Sequence, residues 1–399
     1  MIAERYADYM YNLIGRVIKE IGPREACSEE EKRTGRLYAE EIEPACDRIN
    51  VETFTCSPKA FLGFFPFLVL GYIAGVVLYF FIPPISLILA AIGIAVLFFE
   101  VVRYKEFIDF LYPKREGENV AGIVRPSGDI SRRVLVSAHF DSAYEFKVWY
   151  WFKGFSVVIM AVAFSAPVLL LIFSLLRTIF DARSESSAAV WLILGIILIA
   201  LSPIILPFIF FHTKDLVPGA MDDLAGVSVL AGLGKYLQDA KEGGEFYPEN
   251  TEVVLLGMSS EEAGLRGAKR YASKHRREML SLPTYSIFLD GIYDEQYLTI
   301  IKRELWPGAK HDPYLVGLAE EAARRNKFKY RTGIIPVGST DASAFSLEGI
   351  SAMAMGCQDI ATLVPNYHTR HDTIEYVRPE SLAVSLQMVI DMLKSIDHS

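Results

Sequence analysis

The sequence predicts an α/β fold, a mostly parallel mixed sheet flanked by helices, with four transmembrane helices inserted into it as two hairpins. Three observations carry that expectation. Two pairs of long uncharged stretches interrupt the chain, short apolar runs alternate with helix-period segments elsewhere, and acidic or histidine clusters stand just beyond several of those runs.

The 399 residues are enough for one large or two ordinary domains. Hydrophobic residues make up 52%, and the mean hydropathy of +0.27 is high for an enzyme with an ordinary polar surface. With 40 basic against 48 acidic side chains the net charge is −8. No basic tract neutralises phosphates, which argues against a nucleic-acid partner. Cys27, Cys46, Cys56 and Cys357 are widely spaced without a CxxC pair, so neither a zinc ribbon nor a disulfide framework is indicated.

Taken in order, residues 1–43 carry apolar positions at helical spacing and no secretory signal pattern, and INVETFTC from Ile49 alternates as a strand. Ala60 to Phe99 holds no charge and is divided by Pro83-Pro84 into two crossings. Each supplies roughly 20 apolar residues, the length that about 30 Å of hydrocarbon requires. Gly154–Leu176 and Ser186–Phe211 form a second uncharged pair around a polar connection, Arg177 to Glu185. Buried core helices seldom run so long without a charge, so the lipid bilayer is the expected partner of both pairs. The runs 133–138 (RVLVSA), 252–258 (EVVLLGM), 285–289 (YSIFL) and 351–355 (SAMAM) suit buried strands. Helical spacing over 226–240, 265–280, 313–326 and 379–396 alternates with them and implies a doubly covered parallel sheet. The expected organisation is therefore one interrupted domain, 1–59, 104–146 and 214–399, with hairpins at 60–103 and 147–213.

Five clusters carry the chemistry: SAHFDS (His139, Asp141), PGAMDD (Asp222, Asp223), SSEEAG (Glu261, Glu262), FLDG (Asp290) and NYHTRHDT (His368, His371, Asp372). Singly, each has a plain explanation: a hydrogen-bonded core histidine, a solvated acidic pair at a helix start, a turn or N-cap pair, a turn aspartate, a surface histidine pair. Together they read differently. Ligands of open parallel sheets bind beyond the carboxyl ends of the strands, where these clusters would converge. Zinc accepts imidazole nitrogen and carboxylate oxygen, and a two-metal centre takes about five such ligands, one of them bridging.

In this order and context the motifs resemble the co-catalytic di-zinc aminopeptidase family, which includes bacterial leucyl aminopeptidases, aminopeptidase Y and glutamate carboxypeptidases. The family's sequence of motifs stands here as HFD, GAMDDLAG, EEAGLRG, LDG and HTRHDT. The resemblance covers nearly all of the chain outside the hairpins and implies the zinc exopeptidase fold, peptide substrates and two zinc ions per chain. It implies one zinc on His139 and Asp290, the other on Glu262 and His368, with Asp222 bridging both. Glu261 is then the catalytic general base, and Asp141 fixes the His139 tautomer from behind. The Asp222–Asp223 peptide is often cis in the family. His371 is implied to be a pocket-edge side chain, and Ala342, in GSTDASAF, replaces a family histidine near the substrate pocket. The chain departs from the pattern between His139 and Asp222, where a hydrophobic hairpin replaces a short loop.

An aminopeptidase is the expected activity. A carboxypeptidase of the same architecture would need basic pocket residues, for which Arg266, Arg331 and Arg370 are the candidates. Cyclase-like acyl transfer on one zinc is disfavoured by the complete ligand set, and an inactive membrane scaffold by retention of Glu261. Because both insertions are hairpins, all three remaining pieces share one side of the membrane. Lys59, Arg103, Lys105, Lys147, Lys153 and Lys214 flank that side, whereas the far side shows Arg177 and Arg183 offset by Asp181 and Glu185. The positive-inside bias places the catalytic side in the cytoplasm.

Overall fold

The computed structural model describes residues 1–183, 187–243, 245–359 and 366–399. It forms two compact units, an α/β unit of Met1–Pro58, Lys114–Tyr144 and Asp215–Ser399, and a helical unit of Lys59–Pro113 and Glu145–Lys214. The segment 104–113, which the sequence reading joined to the sheet domain, groups with the helices. Buried Glu100 explains the tight turn there, since its carboxylate accepts the backbone N–H groups of Phe107 and Ile108 at 2.9 and 3.1 Å.

In the helical unit Ala60–Phe81, Pro83–Val102, Lys147–Ala182 and Ala188–Phe210 are each long and apolar enough to cross a membrane. Large apolar side chains such as Phe67, Ile92 and Ile193 face outward. The polar atoms turn inward. Ser86 Oγ donates to the Gly75 carbonyl at 2.7 Å and lies 2.8 Å from Ser174 Oγ. The helix from Ser156 runs on to Ala182, through the start of the expected polar connection, while residues 184–186 at its end lie outside the described residues. Arg177 stays helical because its guanidinium donates to the carbonyls of Tyr79 and Phe80 at the end of the first hairpin's leading helix and pairs with Asp181 at 3.4 Å.

The α/β unit is built on one sheet. Its strands among the described residues are β1 (Arg48–Cys56), β2 (Arg115–Val124), β3 (Arg132–His139), β4 (Thr251–Met258), β5 (Thr284–Ile292), β6 (Leu298–Glu304), β7 (Ala309–Lys310), β8 (Arg331–Ile335) and β9 (Ser351–Cys357). Their spatial order is β1-β2-β4-β3-β5-β9-β6-β8, with β7 against β6. The central four, β4, β3, β5 and β9, are parallel. Antiparallel pairings lie outside them.

Both faces of the sheet are covered. Helices α1 (Ala7–Glu20), α2 (Glu29–Ile42), α3 (Ala225–Gly243), α5 (Pro313–Arg325) and α6 (Pro379–Asp397) pack with Val134, Val136, Val253, Leu255, Ile287 and Met353. Helix α4 (Arg266–Ser281) and the short helix Ala342–Leu347 pack with Leu135, Val254, Leu256, Phe288 and Ala352. Alternate residues of each central strand thus enter different cores, the period-2 rule of a pleated strand buried on both faces. Parallelism has a further effect: His139 ends β3, Glu261 and Glu262 follow β4, and Asp290 lies near the end of β5, so all emerge at one edge.

Candidate metal centre

The parallel strands deliver three of the five clusters, and two loops supply the rest. Asp222 sits in the turn Ala220–Leu224 that opens α3, and its peptide to Asp223 is cis. His368, at φ 50°, lies in the irregular segment ahead of α6. His139 Nε2 lies 3.1 Å from one oxygen of Asp222, and His368 Nε2 lies 3.2 Å from the other. Glu262 Oε1 is a further 3.2 Å from His368 Nε2. The donor atoms of His139, Asp222 and Asp290 all fall within 4.8 Å of one another, as do those of Asp222, Glu262 and His368. Asp222 is common to both groups. His139, Glu261 and Glu262 form a third group by the same measure.

Each participant is fixed from behind. His139 Nδ1 faces the Asp141 carbonyl at 3.2 Å and its carboxylate at 3.3 Å. The same Asp141 carboxylate accepts the backbone N–H of Glu261 at 3.1 Å and of Glu262 at 3.0 Å, one on each oxygen. Asp223 turns away from the cluster and accepts N–H groups of His139 and Gly226. Asp372, of the HTRHDT motif, accepts the N–H groups of Met221 at 2.7 Å and Asp222 at 3.3 Å. The Tyr367 ring stacks on His368 with centroids 4.0 Å apart. His368 is buried and His371 exposed, so the two do not share a face.

Electrostatics at this edge are dominated by buried carboxylates. Burial pushes Glu261, Glu262 and Asp290 above the usual carboxylate range; repulsion from neighbouring carboxylates, Asp222 among them, adds to it, while His139 and His368 pull the other way. Burial also raises Asp222, but hydrogen bonds and charge from His139 and His368 outweigh it and hold this carboxylate well below its ordinary value. Burial disfavours the charged form of His368, yet Glu262 and Asp222 raise it to about 10. Burial, with Asp141 and Glu304, pushes Asp341 up to about 7 against the pull of His139 and Lys269.

The donor set fits a cation. Glu262 Oε1 is buried, and its contact with His368 Nε2 at 3.2 Å is shared with Asp222 and lacks hydrogen-bond geometry, an arrangement that is expensive for a carboxylate oxygen unless a cation meets it. Imidazole nitrogens and carboxylate oxygens with an open side suit zinc.

Sequence reasoning missed two supports. Glu31, inside the charged run EEEK, is buried and accepts Ser259 Oγ at 2.8 Å, Ser260 N at 2.7 Å and Cys27 N at 2.7 Å. It thereby holds Ser260 at φ 62°, the turn that presents Glu261. Arg24, in a GPRE turn, lies wholly buried beside the His139 and Asp222 loops. A charged residue in a short polar run gives no sign of such burial. The basic candidates for a carboxylate clamp fare differently: Arg266 is fully buried, Arg331 is exposed and paired with Asp359 at 3.3 Å, and Arg370 is exposed.

Residues 209–393 match the profile described as peptidase family M28. No curated protein matches the chain in sequence. Solved structures share its fold. A zinc aminopeptidase of Bacillus subtilis aligns over 98% of this chain and 94% of its own at 15% identity, with a TM-score of 0.57. A zinc-dependent exopeptidase of Parabacteroides distasonis aligns over 97% of each chain at 14% identity and a TM-score of 0.56. A glutaminyl cyclase from an Acidobacteriales bacterium covers 98% of this chain and 94% of its own at 13% identity and a TM-score of 0.57. Residues 209–393 are therefore similar to peptidase family M28, and the chain as a whole shares its fold with zinc exopeptidases of known structure.

Proposed function

We propose that this protein is a membrane-embedded di-zinc aminopeptidase. The observation that carries the reading is Asp222, one of whose oxygens faces each histidine while Asp290 and Glu262 flank the two sides. His139 and Asp290 would hold one ion, Glu262 and His368 the other, and Asp222 both. Asp222, Glu262 and Asp290 together with Glu261 place four carboxylates against the four positive charges of two divalent ions. When bound, the ions supply a Lewis acid for the scissile carbonyl and acidify water near them.

The chain's own residues do the rest. Glu261, held through its backbone on Asp141 and outside the five-ligand set, takes the proton of the attacking water and returns it to the leaving amine. Asp141 keeps the Nδ1 proton of His139, so that Nε2 is the ligating atom. A carboxylate-rich edge receives a substrate's ammonium end more readily than a carboxylate end, which favours aminopeptidase over carboxypeptidase action. Beside Asp290 a cavity of about 50 Å³, walled by Ile301, Ile335, Ala354 and Met355, offers the first side chain of a peptide an apolar seat.

The four apolar spans support membrane embedding, as does an apolar cavity of about 510 Å³ among them, lined by Leu68, Gly71, Leu89 and Gly93. The catalytic unit faces the cytoplasm on the positive-inside argument. The test is direct. Detergent-purified protein should carry two zinc ions per chain and cleave amino-acid anilides but not N-blocked peptides. Zinc-free protein, or cleavage of blocked peptides alone, would refute the reading. An N-terminal glutaminyl peptide in the same panel reports on cyclase chemistry, which would leave the product cyclised and no residue released. Protease added outside sealed, right-side-out vesicles should spare the catalytic unit; its digestion would overturn the sidedness.

A further inference from the structure

Arg24 and Arg266 are the largest fully buried side chains among the described residues, and the guanidinium of Arg24 is committed to main-chain carbonyls. Nε donates to Phe140 O at 2.6 Å, Nη1 to Gly22 O at 3.0 Å and Pro218 O at 2.9 Å, and Nη2 to Gly219 O at 3.0 Å. These use four of the five guanidinium N–H groups. The residue's backbone is held as well, since Arg24 N donates to Ser142 Oγ at 3.0 Å and Ser142 N donates to Arg24 O at 2.8 Å. Phe140 directly follows His139, and Gly219 stands three residues before Asp222. Between these two anchor points the chain leaves the α/β unit after Tyr144 and returns only at Asp215. A single planar cation therefore grips both loops whose side chains meet at 3.1 Å.

The seat is closed around it. Gly219 has φ +64°, and a Cβ there would come within 2.5 Å of Arg24 Nη2, 2.6 Å of Ser142 Cβ and 2.8 Å of Asp222 O. A lysine has neither the planar fork nor enough donors to satisfy these carbonyls together. Main-chain pairing across the gap starts at Val217 N to Ala143 O, 2.9 Å, and continues as the two-stranded sheet of Tyr144–Phe146 and His212–Leu216, away from the metal-facing residues that Arg24 holds.

We propose that Arg24 is a positioning residue of the metal centre, tying the His139 loop to the Asp222 loop across the hairpin insertion so that the bridging site is preset before any cation arrives. This rests on the metal reading above. The alternative is that Arg24 merely stabilises the fold, and zinc affinity separates the two. Full-length protein in detergent, stripped and titrated with zinc against a chromophoric chelator, should lose on the order of tenfold to a hundredfold in affinity in Arg24→Met and Arg24→Lys. The zinc-induced rise in melting temperature should shrink, and guanidinium at sub-denaturing concentration should restore part of the affinity of Arg24→Met. Should Arg24→Met fail to fold, Gly219→Ala, which presses on the same seat, should show the zinc-affinity loss in folded protein. Wild-type affinity in folded Arg24→Met or Gly219→Ala, with only a lower metal-free melting temperature, would overturn the positioning role while leaving the di-zinc reading intact. Wild-type protein that binds no zinc would overturn both.

Discussion

Replacing Glu261 by Gln separates chemistry from metal binding at this site. The side chain keeps its size, and the backbone N–H that donates to Asp141 is untouched. Burial already disfavours its charged form, and the repulsion of Glu262, Asp341 and Asp290 opposes the attraction of His139, so with the neutral amide the metal-free protein should melt close to wild type. The proton acceptor is lost. General-base catalysis contributes roughly 10²–10⁴-fold, equivalent to about 3–5 kcal/mol of barrier. Release of an amino-acid anilide should therefore fall by that factor in kcat while zinc per chain, measured by atomic emission, stays at two. Loss of one ion in Glu261→Gln would mean that Glu261, not Glu262, is the ligand. Full activity with both ions present would remove Glu261 from the mechanism.

Asp222→Ala should empty both positions, because one carboxylate faces both histidines; retention of even one ion at wild-type affinity would break the bridging assignment. His368→Ala should lose zinc, while exposed His371→Ala should bind it as wild type does. Glu304 is fully buried, accepts from Ser339, Thr340 and Ser343 and pairs with His311 at 3.0 Å. Glu304→Gln replaces an acceptor oxygen by an amide donor among these donors and should destabilise by roughly the 1–3 kcal/mol that an unsatisfied buried polar group costs. Burial raises the pKa of Glu304, but His311 and the serine hydroxyls lower it further, so the net shift is downward. The corresponding stability is present above the ordinary glutamate pKa and lost as pH falls through the lower folded value. Wild type should thus lose stability on acidification over a range where Glu304→Gln stays flat, as chemical denaturation at several pH values would report. Gly257→Ala would bring a Cβ to 1.9 Å from Phe140 Cζ; overpacking next to His139 should cost about 1–3 kcal/mol, visible as a lower denaturation midpoint.

The long apolar helices and the central strands were legible because each rests on a local, periodic signal. Charge-free stretches of membrane length became four helices, and RVLVSA, EVVLLGM, YSIFL and SAMAM lie within β3, β4, β5 and β9. Arg177 misled the reading because a charge at the end of an apolar run looks like a terminus. Its long side chain instead reaches the carbonyls of a neighbouring helix end, and its own helix continues. The chemistry-bearing motifs were visible, since each is a short run at a strand end or loop. Their supports were not: Glu31 reaches Ser259 and Ser260 over 228 and 229 positions, and Arg24 reaches Gly219 over 195. No periodicity encodes a contact of that separation, and both residues sit in polar runs whose default is solvent. Glu304 and His311 escaped notice for the same reason, being single charges at a strand end and beside a turn.

The order in which the five proposed ligands occur has a consequence for biosynthesis. His139 is translated before the second hairpin, Asp222, Glu262 and Asp290 after it, and His368 close to the end of α6's approach. A nascent chain holding only His139 cannot complete the proposed site, and Asp222 cannot reach its partner until the intervening apolar helices have been made and the polypeptide has come back. On the proposed reading the bridged site can form only after the apolar helices between His139 and Asp222 are in place, so their folding would gate the metal centre during biosynthesis.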